Sequence, residues 1–234
     1  MARIVGKSLR LEEHAYPLIL HMRAGRRYVL EQGFTRAGAR AFIERCVAGT
    51  ERALLRSAPV PAPPAPGARA PLVQPVVGAT FYDAVVDPPH DVALLVRDSA
   101  RETGETGETA KARARDFADA ARVLQRVCGA RLAFAAIDVR ENEALYDCPA
   151  REYPCVVYVA KRADAGGAPR AVATAFPSEY RYGALVRRGA ALCGAAFDER
   201  QLMRTDPRYK EDVAAQWVLD LLHGRDPGPK PEDD

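Results

Sequence analysis

PVVGATFYDAVVDPPHDVALLV, residues 75–96, sets the architecture of this chain. It opens on the end of a short strand, VQPVV, and runs through a helical segment around FYDAVV. Asp87-Pro88-Pro89 must end that segment, because proline removes an amide donor and restricts the residue before it. HDVALLV follows, and Val92 to Val96 is continuously apolar, as a central parallel strand buried on both faces requires. Downstream, DFADAARVLQRVCG places Phe117, Ala121, Leu124 and Cys128 on one helical face, closed by Gly129. LAFAAIDV, residues 132–139, is a further buried strand. Tyr153-Pro154 introduces strand CVVYVA, a polar Gly-rich turn ADAGGAP, strand RAVATAF and helix SEYRYGALVRRGAAL. The order is β-α-β-α-β, then β-β-α. The first half calls for a right-handed parallel crossover, the second for an antiparallel hairpin with a helix packed on it.

Upstream, SAPVPAPPAPGARAPL (residues 57–72) holds five prolines between Pro59 and Pro66, plus Pro71. It reads as an extended polyproline-like linker. Before it, Tyr16-Pro17 leads into LILHM, RAGR turns the chain, and RYVLE forms a second strand. Thr35 suits the N-cap of a helix whose apolar face runs through Ala39, Phe42, Ile43, Cys46, Thr50, Ala53 and Leu54. Tyr-Pro, strand, turn, strand, helix thus occurs twice, at residues 16–56 and 153–192. The first copy reads as the second half of a domain whose first half is not in this chain. A hairpin and one helix bury too little to stand alone, so residues 1–56 are expected to pack on the main domain, to join another chain, or to be a truncated remnant.

Of 234 residues, 48% are hydrophobic and 28% charged, ordinary values for a globular chain. Net charge is +3 with the signs interspersed, so neither a nucleic-acid stripe nor a membrane patch stands out. No apolar run reaches the ~18 residues of a membrane span. MARIVGKSLRLEEHAYP has no continuous apolar core and does not read as a secretory signal, so the sequence taken literally points to the cytoplasm. The five cysteines, Cys46, Cys128, Cys148, Cys155 and Cys193, include no C-x-x-C or C-x-x-H pair, and neither a zinc site nor a redox dithiol is legible. GETGET lacks the lysine and the strand-to-helix setting of a phosphate loop, and no cofactor is implied. ETGETGET (residues 102–109) is polar and low in complexity and is expected to be a solvated loop. His14, His21, His90 and His223 share no ligand-like spacing. Asp138 is explained by turn formation.

β-α-β-α-β-β-α is the thioredoxin arrangement, and the residues resemble the last two thioredoxin-like modules of the protein disulfide isomerase family. FIERCVAGTERALLRSAPVP (residues 42–61) resembles the family's helix ending in S-x-P-x-P, which joins its second non-catalytic module to its final one. PVVGATFYDAVV resembles the opening VVVG-x-x-F-x-x-x-V of that final module, and AFAAIDVRENEALYDCPAREYPCVVYVA (residues 133–160) its third strand, its turn and the Y-P-T before its fourth strand. The likeness covers most of residues 16–192. It implies an α/β fold of thioredoxin-like kind: a partial ββα module at 1–56, the linker at 57–72, a thioredoxin-like domain without C-x-x-C at 73–195, and a C-terminal helix with a disordered tail at 196–234.

The departure from the family is as informative as the match. The W-C-G-H-C of the family would fall at residues 100–104, which here read ARETG, so Arg101 and Gly104 occupy the dithiol positions. The family's buried glutamate falls at Leu95. Dithiol exchange needs a low-pKa thiolate at a helix N-terminus with a resolving thiol beside it, and both are absent there. By resemblance Pro154 is cis and, with Tyr153, borders a groove for polypeptide backbone. Cys155 starts a strand, and core packing is its better reading. A redox role for Cys155 or Cys148 is the alternative, and a Cys148–Cys155 disulfide is geometrically possible although spacing alone does not show it. Cys46, Cys128 and Cys193 read as core filling. Val213, Trp217 and Leu221 make one stripe on a C-terminal helix that covers an exposed face or docks on a partner. Three functions follow: a redox-inactive, chaperone-like binder of unfolded or partner polypeptide; an oxidoreductase or isomerase working through one thiol; or a structural subunit that assembles through residues 1–56 and the Trp217 helix. The resemblance implies the lumen of the endoplasmic reticulum, although no retention signal ends the chain.

Overall fold

The computed structural model describes residues 19–23, 26–30, 34–101, 104–146, 148, 153–163, 169–176, 181–195, 197–222 and 224. Tyr16-Pro17, most of the ADAGGAP turn, His14, His223 and the C-terminal tail lie outside the described residues. The chain divides into two compact units, residues 1–57 and 58–234.

In the first unit, β1 (Ile19–Arg23) and β2 (Arg26–Leu30) pair antiparallel, Ile19 opposite Leu30 and Arg23 opposite Arg26. Helix α1 (Arg36–Ala48) follows, and the Thr35 side chain accepts from the Gly38 amide at 3.0 Å, satisfying one of the donors a helix start leaves free. The apolar stripe read through Leu54 is cut short. Gly49 adopts φ 74°, where a Cβ is disfavoured, and the helix closes there. Leu54 instead bridges Arg27 of β2, its amide donating to the Arg27 carbonyl at 2.6 Å. Arg23 Nη1 donates to the Cys46 and Val47 carbonyls at the helix end. Tyr28, Phe42, Cys46 and Ala53 form the small core.

The second unit begins in exposed, irregular chain through the proline-rich stretch. Its sheet has five strands: β3 (Val73–Pro75), β4 (Asp91–Arg97), β5 (Leu132–Asp138), β6 (Cys155–Ala163) and β7 (Pro169–Ala175), in the order β3-β5-β4-β6-β7. β3 and β4 lie parallel to β5, while β6 is antiparallel to both β4 and β7. This is the thioredoxin-like α/β fold. Central β4 is buried from Val92 to Val96. Between β3 and β4 the expected helix is a short 3-10 turn (Gly78–Thr80) followed by one wide, π-type turn (Tyr82–Val86). Lys161 Nζ donates to the Val85 and Val86 carbonyls and satisfies that turn's end.

Helix α2 runs from Gly104 to Cys128, so residues 104–109 of the expected polar loop are helical. The reason lies in a stripe of small residues: Gly107, Ala110 and Ala114 continue upward the face of Phe117, Ala121, Leu124 and Cys128 at spacings of three and four. Helix α3 (Tyr182–Leu192) packs beside it, and a Cβ at Gly189 would come within 2.6 Å of Leu124 Cδ1. Helices α4 (Glu199–Thr205) and α5 (Pro207–Leu222) close the unit. Tyr209 and Val213 of α5 enter the same core as Phe117, Leu124, Phe134 and Tyr158. Trp217 is half-buried, while Val218, Leu221 and Leu222 are exposed. No helix among the described residues is long and apolar enough to cross a membrane.

One disulfide corrects the cysteine reading, and a second is the one that reading left open. Cys128 and Cys193 are buried, but they are bonded to each other and tie the end of α2 to the end of α3. Cys148 is bonded to Cys155. Cys46 alone is free; it is buried as expected, and burial, with Glu51 nearby, pushes its thiol up.

Candidate functional site

The candidate site lies at the carboxyl end of β4, where open α/β sheets bind ligands. Val96 pairs with Cys155, and Arg97 pairs with Asp138. The chain then turns through Ser99–Arg101 into α2. Asp138 organises that turn: its Oδ1 accepts from the Ser99 amide at 3.2 Å and the Arg140 amide at 3.0 Å. Burial works against its charged form, but hydrogen bonds from Ser99 and the Arg140 amide, with Arg97 nearby, hold the carboxyl below the usual carboxylate range. Turn formation is thus what Asp138 does.

Asp98 Oδ1 accepts from the Ala100 amide, and Asp98 Oδ2 lies 3.2 Å from Arg101 Nε. The exposed Arg101 guanidinium sits over the Tyr153 ring, 5.4 Å from its centroid. Such a contact is worth about 0.5–1 kcal/mol at an exposed site. The Tyr153–Pro154 bond is cis. Tyr153 is half-buried and Pro154 is buried, so Tyr153 and Arg101 supply the accessible surface.

The structure therefore brings together Arg101, Tyr153, Pro154, Cys155 and Cys148. Gly104 opens α2 one turn further on. Cys155 and Cys148 are 1% and 5% exposed, and Cys148 Sγ lies 3.9 Å from the Val96 carbonyl oxygen. Bonded and buried, they offer no thiolate to the surface. Leu95 is part of the apolar core against α2 and α3. No cluster that could hold a metal ion occurs among the described residues. The site offers an aromatic face and a guanidinium beside the buried Cys148–Cys155 disulfide.

Sequence reasoning missed Asn142. This buried side chain accepts through Oδ1 from the Gly78 amide at 3.1 Å and the Ala58 amide at 2.8 Å, and donates to the Asp138 carbonyl at 2.9 Å. It fixes the loop after β5 to the start of the unit. Asn142→Ala strands a buried amide and is expected to cost about 2 kcal/mol in urea unfolding. A change below ~0.5 kcal/mol would remove Asn142 from this role.

No protein-family model matches the sequence, and no curated protein matches it. Among solved structures, the chain is similar to the crystal structure of ERdj5 form I, at 11% identity and a TM-score of 0.37, over 82% of this chain and 22% of that one. It is also similar to full-length ERdj5, at 10% identity and a TM-score of 0.35, over 88% of this chain and 25% of that one. The chain spans at most a quarter of the length of these structures. Its thioredoxin-like fold is carried by its own strand order, strand directions and connections.

Proposed function

We propose that this is a protein disulfide isomerase-like, thioredoxin-fold protein that binds unfolded or partner polypeptide and does not itself exchange dithiols. The supporting observation is the contact between Arg101 and Tyr153. An aromatic–guanidinium surface stands where the resemblance expects a reactive thiol, beside the loop where it expects polypeptide backbone to bind. Aromatic and arginine side chains are the groups that most often anchor polypeptide contacts. Two disulfides in one small unit fit an oxidising compartment such as the lumen of the endoplasmic reticulum rather than the cytoplasm.

The test is binding of a permanently unfolded, cysteine-alkylated polypeptide, followed by fluorescence anisotropy. Tyr153→Ala and Arg101→Glu are each expected to weaken binding about five- to tenfold, the ~1–1.4 kcal/mol of a modest anchor. Unchanged affinity in both, or no binding by the wild type, would refute the reading.

A second reading has one observation in its favour: the Cys148–Cys155 bond lies directly beside Tyr153-Pro154. A client thiolate that opened it would make this a thiol–disulfide oxidoreductase. Burial of both sulfurs favours the first reading, since buried cysteines are inert. Insulin reduction above background that Cys155→Ser abolishes would establish the second. As to assembly, exposed Met22, Ile43 and Val47 in the first unit, and Val218, Leu221 and Leu222 at the end of the Trp217 helix, are the apolar side chains a partner subunit would cover.

A further inference from the structure

The two edges of the five-stranded sheet are unequal. β3 is three residues long and ends in Pro75, which has no amide to offer a neighbour. β7 is seven residues long, and from Ala171 to Ala175 it reads AVATA, with no charge and no proline. Natural sheets guard long edges with charged side chains, proline or bulges; in β7 these are confined to its first two positions, Pro169 and Arg170. Among the described residues, no strand pairs with its outer side. Val172, Ala173 and Thr174 are exposed, although Phe176, on the face of Val172 and Thr174, is buried.

The hydrogen-bond phase shows which groups this edge presents. The Phe176 amide donates to the Val156 carbonyl at 2.8 Å, and Ala175 lies opposite Val157. Even-numbered residues of β7 therefore direct their N–H and C=O to β6, and Ala171, Ala173 and Ala175 direct theirs outward. The Lys161 amide, which turns away from β7 to donate to Asp91 Oδ1 at 2.7 Å, keeps the same phase in β6.

We propose that β7 is a self-association edge: two copies of this chain pair β7 with β7, antiparallel, about a twofold axis through Ala173. The sequence around that residue is close to its own reverse. In this register Ala171 meets Ala175 of the mate and Ala173 meets its own copy, and these are the positions whose amides and carbonyls face outward. Val172 falls opposite Thr174 of the mate, a β-branched pair of the kind that stabilises cross-strand contacts. Arg170 falls opposite Phe176, so no like charges oppose each other along the strand. A single pairing of this kind satisfies every outward group between Ala171 and Ala175 in both copies, and it is isologous, so it closes without propagating. The interface is small, which places the dimer at the weak end of specific association.

The test is sedimentation velocity on the full chain from about 1 µM to about 1 mM, the span in which weak specific dimers dissociate. A monomer–dimer equilibrium is expected. Ala173→Lys and Ala173→Asp each put two like charges at the twofold axis, and each variant is expected to be monomeric; an equimolar mixture of the two is expected to dimerise again. Hydrogen exchange on the wild type supplies a readout free of any folding defect: the amides of Ala171, Ala173 and Ala175 gain protection as concentration rises, while those of Val172, Thr174 and Phe176 are protected throughout. A wild type that stays monomeric across the range overturns the proposal, as it would if this edge served a different polypeptide. So do variants that remain dimeric, or edge amides whose exchange ignores concentration.

Discussion

Replacing Cys128 and Cys193 together by alanine is expected to lower the stability of the 58–234 unit by about 4 kcal/mol at 25 °C. The two residues are 65 positions apart in sequence and bonded in the fold. A cross-link over a loop of that length withholds much of the closure entropy of the denatured chain. The equivalent double replacement at Cys148 and Cys155, which spans only 7 positions, is expected to cost about 2 kcal/mol by the same relation. In a unit of this size ~4 kcal/mol corresponds to a fall in Tm of roughly 10 °C. Urea unfolding of the two double variants checks the order as well as the size. A Cys128/Cys193 variant that loses less than the Cys148/Cys155 variant contradicts the assignment. Thiol titration gives an independent count: unfolded without reductant, the chain is expected to react once, at Cys46, and after reduction at all five cysteines.

The same bridge shows why part of this structure was legible in the sequence and part was not. The run from Val92 to Val96 announced a central strand because burial on both faces leaves no room for polar alternation, and β4 lies where that run put it. Tyr153-Pro154 marked the entry to β6 because proline constrains its own surroundings. Cys128 and Cys193, by contrast, sit at the ends of two helices that meet only through tertiary packing, and nothing local to either residue signals the other. The first turns of α2 were misread for a different reason. GETGET contains no large apolar residue, so a search for an apolar face finds none there; the face is continued by the small residues Gly107, Ala110 and Ala114. At the candidate site the residue types were visible, but the Arg101–Tyr153 contact joins positions 52 apart in sequence and depends on the sheet register that brings β6 beside β4. Helix α4 escaped notice because it is seven residues long and mostly polar. It is held by Asp198, whose side chain accepts from the Gln201 amide, and by Glu199, which bonds Arg187 of α3.

That last contact belongs to the site of the second large effect, Tyr209→Ala, expected to cost about 3–5 kcal/mol. Tyr209 is fully buried, its ring edge-on to Tyr182 and Phe197, and its hydroxyl donates to Glu199 at 3.0 Å. Around it, the Tyr182 hydroxyl donates to Asp206, the Gly183 amide to Asp212, and Arg208 pairs with Asp116 and Asp119 of α2. Alanine removes the ring and leaves a cavity at the junction of α3, α4 and α5, a gap this network of ion pairs hinders from collapsing. Tyr209→Phe keeps the ring and leaves Glu199 to Arg187, so it is expected to cost only about 0.5–1.5 kcal/mol. The contrast separates packing from hydrogen bonding. Burial and the neighbouring Glu199 push the Tyr209 phenol above its usual range, and burial with Asp206 does the same for Tyr182. A phenol kept neutral by folding contributes its full stability below the unfolded value near pH 10 and loses it as pH rises beyond, because the unfolded chain ionises first. Stability is therefore expected to hold into mildly alkaline solution and fall above about pH 10, less steeply in Tyr209→Phe. Were α4 and α5 a loose appendage, Tyr209→Ala would leave the unfolding free energy of the unit in urea within the ±0.5 kcal/mol of an ordinary surface change, and that result would detach the C-terminal helices from the thioredoxin-like core.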